Sequence, residues 1–458
     1  MLQLFDTMTR QKAPFVPRLD GQVSMYVCGP TVYDHPHLGH GRTSLTYDVL
    51  RRYLRWSGYS VTMVSNVTDI DDNIINRAKR EGRTEPDVAG EFLGLYIEQM
   101  DRLDIERPDE RPQATEFIDG MVEVITDLLA AGAAYVVEGR GVYFSVESAP
   151  HYGRLAGRQL DQMLEDAGQR VEVDDEKRSP LDFVLWKAAK PGEPTWDTPW
   201  GAGRPGWHTE CVAMSMSILG EGFDIHGGGD DLVFPHHQNE EAQVVACGKE
   251  FARTWIHSAM VNVRGEKMSK SLGNFTTLAD ALDAHDPRAL RMSVLQTHYR
   301  STMELGAATL AASAEAVKRL DAVVRRAAAE GANEGAPARS DDIERFTLAM
   351  DDDLGTPSAI DVIFGAVRAA NTAFDEGRTA EAAECVATVV ELSGVLGLTV
   401  GVASGPGDDD EEIDALVAQR NAARAARDFG LADQLRDELS TRGIVIEDSA
   451  GGTAWHRA

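Results

Sequence analysis

The feature that most constrains the fold is a strand–helix–strand succession near the start of the chain. Residues 23–28 alternate, with Val23, Met25 and Val27 on one face, which predicts a strand. Gly29-Pro30 breaks the pattern. Residues 43–56 then put Leu45, Val49, Leu50, Tyr53 and Leu54 on one stripe, the mark of an amphipathic helix. Gly58 closes that helix, and residues 60–64 return to a strand pattern. Two strands joined by a crossover helix must run parallel, so this is a βαβ unit and the chain contains a parallel sheet.

At 458 residues the chain exceeds what one hydrophobic core can serve, so several domains are expected. The βαβ pattern belongs to a first segment, 1–114. Residues 115–200 read as an insertion: a helix over 117–131, short strands near Tyr135 and Tyr143, an acidic stretch, then a loop rich in Pro, Gly and Trp. Sheet patterning resumes within 201–300, at 223–226 and 255–261. Residues 301–403 are Ala-rich and helical, interrupted at 330–339. A Gly/Pro/Asp linker, 404–412, precedes a small unit, 413–458, of two helices and the strand 444–446. No stretch approaches the ~20 apolar residues of a membrane span, and Met1–Arg10 lacks signal-peptide layout, so a cytoplasmic location is expected. Cys28, Cys211, Cys247 and Cys385 are too sparse for a disulfide framework. A cysteine with a task here is a ligand or a nucleophile.

Two motifs carry chemistry. His37-Leu38-Gly39-His40 lies between the first strand and its helix, where free N–H groups and the positive dipole end suit phosphate. His37 and His40 can point to one side, and Gly39 and Gly41 let a base or ribose approach the backbone. Read alone, this also fits two ordinary histidines at a helix start. Lys267-Met268-Ser269-Lys270-Ser271 puts two lysines and two hydroxyls in five residues, able to neutralise a pyrophosphate leaving group. Gly265 and Gly273 flank it as hinges. Lysine is scarce in this acidic chain, so its clustering is informative. Metal-ligand chemistry is present but scattered: Cys28, Cys211 in the run 206–211 (GWHTEC), and His236 with Glu240 one helical turn on. His226 and His237 compete as ligands, and spacing does not choose among them.

Residues 26–42 (YVCGPTVYDHPHLGHGR), 66–78 (NVTDIDDNIINRA), 185–213, 223–242 (FDIHGGGDDLVFPHHQNEEA) and the KMSKS run with Leu272-Gly273-Asn274 together resemble the cysteinyl-tRNA synthetases, class I aminoacyl-tRNA synthetases. Residues 420–455 resemble that family's C-terminal segment, so the likeness spans nearly the whole chain. It implies an α/β fold: a Rossmann-like parallel-sheet catalytic domain carrying an insertion, then an α-helical bundle, then a small C-terminal α+β unit that contacts tRNA. It implies a ligase that activates L-cysteine with ATP to cysteinyl-adenylate and transfers it to the 3′ end of tRNA(Cys). Cys28, Cys211, His236 and Glu240 take the positions of the family's ligands for one Zn²⁺ per chain, and Mg²⁺ accompanies ATP. His37, Gly39, His40 and Lys270 fall at ATP-binding positions, with His37, His40, Lys267 and Lys270 as the catalytic group. Cys28, Thr68, Trp207 and Asp231 fall at the amino acid pocket. A monomer is implied. Departures from the family pattern are Leu38 for Ile, Gln238 for Glu and Asp230 for Ser.

A sulfur-to-metal contact would separate cysteine from serine, because sulfur is soft and a hydroxyl is hard and far less acidic. Substrate would enter as a fifth ligand or displace a weak one such as Glu240. A net charge of 45 − 74 = −29 argues against nucleic acid when read as a sum. Read locally, residues 419–458 are neutral: Arg420, Arg424, Arg427, Arg436, Arg442 and Arg457 balance six acids, and Trp455 could stack on a base. Two rival readings are a zinc-dependent RNA-binding module without enzymatic activity and the related cysteine:glucosaminyl-inositol ligase of mycothiol synthesis. The first leaves HxGH and KMSKS unexplained; the second, by resemblance, lacks the C-terminal segment.

Overall fold

The structure, a computed structural model, describes residues 1–149, 151–160, 162–163, 177–263, 277–333, 335–401, 410–449 and 452–457. It divides into two units, the first comprising 1–314, 344–361 and 395–398, the second 315–343, 362–394 and 399–458.

The first unit opens with an antiparallel hairpin, β1 (Gln3–Asp6) and β2 (Gln11–Pro14), followed by β3 (Gln22–Val27), α1 (Leu38–Trp56) and β4 (Ser60–Ser65). β3 and β4 pair in parallel, Val23 opposite Val61 and Met25 opposite Met63, as the βαβ reading requires. α2 (Asp72–Glu81) and α3 (Glu85–Arg102) come next, then α4 (Ile118–Ala130). They lead into β5 (Ala134–Val137), β6 (Gly141–Phe144), β7 (Phe183–Ala188) and β8 (Gly203–Pro205), an antiparallel four-stranded sheet in that order. The chain then returns through α5 (Trp207–Leu219), β9 (Ile225–Gly229), α6 (Gln238–Ala246) and β10 (Thr254–Ser258). The main sheet has the order β10-β9-β3-β4, all parallel. The chain runs outward from β3 to β4 and later resumes at β9 on the other side of β3. That reversal of direction is where open α/β sheets bind ligands, beyond the strands' carboxyl ends.

α1 ties this sheet together. Its apolar stripe (Leu45, Val49, Leu50, Tyr53, Leu54) is buried. Tyr47 Oη lies 2.6 Å from Ile256 O and accepts the Gly228 N–H at 2.6 Å, joining the helix to β9 and β10. Gly227 leaves space for the Tyr47 ring, which a Cβ would overlap. The buried Arg42 guanidinium donates to the carbonyls of Met260, His298, Tyr299 and Ser301. Asp48, also buried, accepts from Arg291 at 2.7 Å, Arg52 at 2.9 Å and the Glu106 amide at 2.9 Å. Arg291, 1 % exposed, lies on α8 (Pro287–Leu295), which comes after β11 (Val261–Val263) and α7 (Leu278–Ala284) and precedes β12 (Met303–Leu305).

Helices dominate the remainder of the chain: α9 (Ala307–Ala329), α10 (Ser340–Asp351), α11 (Thr356–Asp375) and α12 (Thr379–Val395). In the second unit Val317, Leu320, Val323 and Ala327 of α9, and Ile363, Val367, Ala370 and Phe374 of α11, are buried at helical spacing. The chain ends in α13 (Asp410–Ala425), α14 (Phe429–Thr441) and the antiparallel pair β13 (Ile444–Ser449) and β14 (Gly452–Arg457), over a small core of Ile413, Val417, Leu439 and Ile444. No helix is long and apolar enough to cross a membrane among the described residues.

The expected α/β class with helical C-terminal parts is the one observed. Three local readings differ. α1 begins at Leu38 rather than Thr43: His37 is an extended N-cap (φ −106°, ψ 172°), so the glycine-rich run 38–41 forms the first turn despite its low helix propensity. β9 extends to Gly229, because its glycines carry no alternation yet pair by backbone with β3 and β10. Sequence alternation did not mark the four-residue strands β1 and β2 or the strand β14.

Candidate active site and metal centre

The expected site residues gather after the carboxyl ends of β3 and β9. At the start of α1 the His37 N–H donates to His40 Nδ1 at 3.1 Å, and the two imidazoles stack with centroids 3.8 Å apart. Gly39 permits this, since a Cβ there would come within 2.9 Å of the His37 ring. Burial, and then the neighbouring His37, push His40 down to about 3, so its ring is neutral. Desolvation also lowers His37, and the Asp231 carboxylate opposes that shift. Asp231 is exposed and turns back over Gly229, at the end of β9.

Four further donors converge from distant points of the chain. Cys28 comes just after β3, Cys211 lies in α5, His236 ends the turn before α6, and Glu240 lies in α6. Their ligand atoms all fall within 4.8 Å of one another, and all four residues are buried. The two Sγ atoms are 3.6 Å apart. Cys28 Sγ lies 3.7 Å from Glu240 Oε1, Cys211 Sγ 3.5 Å from His236 Nε2, and His236 Nε2 2.8 Å from Glu240 Oε1. The set behaves as one charged cluster. The hydrogen bond from Cys28 pulls Cys211 down to about 6, against burial and with help from His236. Burial pushes the Cys28 thiol up. Burial would also raise Glu240, but His236 and His226 hold it well below the carboxylate range. Burial would lower His236, yet Glu240 and Cys211 raise it to about 10. Two thiols, a carboxylate and an imidazole thus share protons in the interior, where a divalent cation would satisfy the same lone pairs. Two sulfurs, one imidazole and one carboxylate fit a tetrahedral zinc-type site.

The rival histidines are also present. Cys28, His226, His237 and Glu240 form a second group within the same 4.8 Å limit. His226 Nε2 lies 2.7 Å from Glu240 Oε2, and His237 Nε2 3.2 Å from Cys28 Sγ. His237 Nδ1 reaches His257 Nε2 at 2.8 Å, and His257 Nδ1 reaches Thr7 Oγ1 at 2.8 Å, so a file of hydrogen bonds runs from β1's turn to Cys28. His208 Nδ1 lies 3.0 Å from His236 Nδ1, and burial pushes both His208 and His257 down to about 3.

The other expected pocket residues divide. Trp207, at the first position of α5, stacks on His236 with centroids 4.0 Å apart. Thr68 is buried and donates to Glu210 Oε2 at 2.9 Å. Burial, then the adjacent Cys211, push Glu210 well above the carboxylate range. Lys267 and Lys270 lie outside the described residues. Glu210, His208 and His257 were missed in the sequence; the one available signal was an acid inside an otherwise apolar helix at 207–219. Of the departures from the family pattern, Gln238 is buried, and its Oε1 accepts the Leu155 and Ala156 amides at 3.0 and 3.3 Å, anchoring the insertion to α6. Trp455 is half-buried, its indole N–H donating to Asp414 at 2.7 Å.

Residues 14–315 match the family model of the class I (C) tRNA synthetase catalytic domain, 345–400 that of the DALR domain, and 407–455 that of the cysteinyl-tRNA ligase anticodon binding domain. The cysteine–tRNA ligase of Halorhodospira halophila (strain DSM 244 / SL1) is 47% identical over 467 residues, covering 100% of both chains. That of Pectobacterium carotovorum subsp. carotovorum (strain PC1) is 47% identical over 469 residues, again covering 100% of both. Among solved structures, methionyl-tRNA synthetase of Mycobacterium tuberculosis in complex with methionyl-adenylate superposes with a TM-score of 0.59 at 15% identity, over 82% of this chain and 90% of that one. The ternary complex of Agrobacterium radiobacter K84 LeuRS with tRNA and LeuAMS gives 0.59 at 12% identity, over 84% of each chain. The fold is thus that of the class I synthetases, and the chain belongs to the cysteine–tRNA ligase family.

Proposed function

We propose that this chain activates L-cysteine with ATP to cysteinyl-adenylate and transfers it to the 3′ end of tRNA(Cys). The convergence of buried Cys28, Cys211, His236 and Glu240 carries this reading: it is a sulfur-selective donor set, and its Cys28 follows the same strand, β3, that leads to the His37–His40 stack and a helix N-terminus suited to phosphate. Of the two overlapping groups, the one with both thiols is the metal site for one Zn²⁺; the alternative would leave Cys211 as an unused thiolate beside it. Bound there, zinc supplies a soft Lewis acid that takes a thiolate in preference to a hydroxyl. Glu240 would be one of the four residues holding the ion, with its Oε2 positioned by His226 Nε2 at 2.7 Å. Trp207 closes the space over His236, and Thr68 and Asp231 complete the amino acid pocket.

The cysteine carboxylate is already ionised, so its attack on the α-phosphorus of ATP needs no general base. What the chain supplies is position and charge. His37 and neutral His40 donate to triphosphate oxygens, Gly39 admits the nucleotide against the backbone, and Lys267 and Lys270 neutralise departing pyrophosphate; Mg²⁺ arrives with the ATP. Lys270→Ala is expected to slow cysteine-dependent ATP–pyrophosphate exchange by about 10²- to 10³-fold, with little change in cysteine affinity. An unchanged exchange rate would remove the loop from the mechanism.

The catalytic domain spans 1–114 and 201–300, interrupted by the insertion 115–200. Beyond it come a helical bundle (301–403) and a tRNA-contacting unit (413–458); of the linker expected over 404–412, residues 404–409 lie outside the described residues and Asp410–Glu412 open α13. The anticodon-type segment favours tRNA over an amino sugar as the acceptor. Truncation after Ser404 is expected to preserve exchange and to reduce tRNA charging at least ~100-fold, equivalent to about 2.7 kcal/mol. Full charging by the truncated chain would return the amino-sugar ligase to consideration. We place its action in the cytoplasm, as a monomer.

A further inference from the structure

The second unit holds a groove of about 260 Å³ between α9 and α11, lined by Arg319, Ala322, Phe364, Val367, Arg368 and Asn371. The Arg319 guanidinium lies over the Phe364 ring, 4.7 Å from its centroid. Arg368 lies one turn of α11 beyond Phe364 and is exposed, as is Arg319. Neither arginine has a carboxylate partner among the described residues. This runs against composition, since acids outnumber Lys and Arg 74 to 45. Other arginines of the unit are ion-paired: Arg326 with Glu330 and Asp375, Arg378 with Glu376 and Glu381, Arg442 with Glu412 and Glu438. Glu315 and Asp321, on the same helix as Arg319, are engaged by Lys318 and by the Gly401 amide.

We propose that this groove binds tRNA, with Arg319 and Arg368 each holding a backbone phosphate and Phe364 offering an apolar surface to the sugar or base between them. The inference rests on the tRNA-ligase reading. Two guanidiniums without carboxylate partners among the described residues, one of them lying over an aromatic ring, suit RNA: the planar fork matches phosphate oxygens in pairs, and the ring suits a sugar or base. Asn371, at the end of the groove, is held by the bundle itself: its Oδ1 accepts from Arg326 at 3.1 Å and its amide N–H donates to Val367 O at 3.2 Å. Such binding also answers the charge problem, because a strongly negative chain can hold RNA where its few uncommitted cations are grouped.

The test uses the full-length enzyme and purified tRNA(Cys) transcript. Arg319→Glu/Arg368→Glu is expected to raise the KM for tRNA about tenfold or more, with kcat changed less than threefold. The slope of log kcat/KM against log salt should flatten by about 2, one unit for each phosphate no longer held. Lys318→Glu, a charge reversal at the neighbouring residue outside the groove, should leave the KM nearly unchanged. Arg319→Lys/Arg368→Lys should recover part of the affinity, which a purely structural role would not produce. ATP–pyrophosphate exchange, which needs no RNA, reports folding of each variant. If the unmodified chain lacks cysteine-dependent exchange, the ligase reading itself fails. If the unmodified chain charges tRNA and the double glutamate variant matches it in KM and salt slope, the groove does not bind RNA, and a protein partner becomes the alternative.

Discussion

Cys211→Ser is expected to yield a folded chain without bound metal and with cysteine-dependent ATP–pyrophosphate exchange lowered at least ~10³-fold, the several kcal/mol a metal contributes to charge stabilisation. Serine keeps the size but not the thiolate. In the structure Cys211 is the donor most ready to ionise, drawn down to about 6 by the bond from Cys28, against burial and with help from His236. Without it His236 loses one of the two groups that hold its proton, and Glu240 keeps its histidines but no sulfur beside them. Elemental analysis of the purified variant and exchange assays with cysteine and serine read out the two effects separately. Cys28→Ser should behave alike. His226→Asn should retain the metal, since His226 belongs only to the rival group; metal loss in that variant with retention in Cys211→Ser would exchange the two assignments.

Asp48→Ala is expected to destabilise the first unit by about 3–5 kcal/mol, measured as a shift of its denaturant midpoint at unchanged slope. Asp48 is fully buried and answers Arg291, Arg52 and the Glu106 amide at once. Arg291, also buried, further donates to the carbonyls of Leu103, Asp104 and Leu396. Removal of the carboxylate leaves a desolvated guanidinium with neutral partners only, and it is this stranded charge that costs stability. Asp48→Asn keeps the shape and some hydrogen bonds, so it should fall between. A midpoint unchanged in Asp48→Ala would mean that Arg291 is solvated on removal of its partner.

Some of this was legible in the amino-acid sequence because it is written in short intervals. Strand alternation at 23–28, the helical stripe of α1 and the return to β4 are local patterns, and they were enough to set the parallel sheet. HxGH was legible for the same reason. Its geometry was not, since the stack of His37 on His40 requires the chain to enter α1 at Leu38, through a glycine-rich turn that propensity disfavours. The glycines of β9 showed no alternation, so their pairing with β3 and β10 emerged only from the sheet.

The candidate metal cluster lies at the other extreme. Residues 28, 211, 236 and 240 carry no common interval, and only a family likeness grouped them. Tertiary packing brought their donors within 4.8 Å of one another, and it brought His226 and His237 as close to Cys28 and Glu240. It also made partners of Thr68 and Glu210, ran hydrogen bonds from Thr7 through His257 and His237 to Cys28, and set Arg319 and Arg368 without carboxylate partners on neighbouring helices. The physical reason is range: backbone preference and periodicity act over a few residues, whereas burial, charge pairing and ligand geometry depend on which distant segments share the same few ångströms.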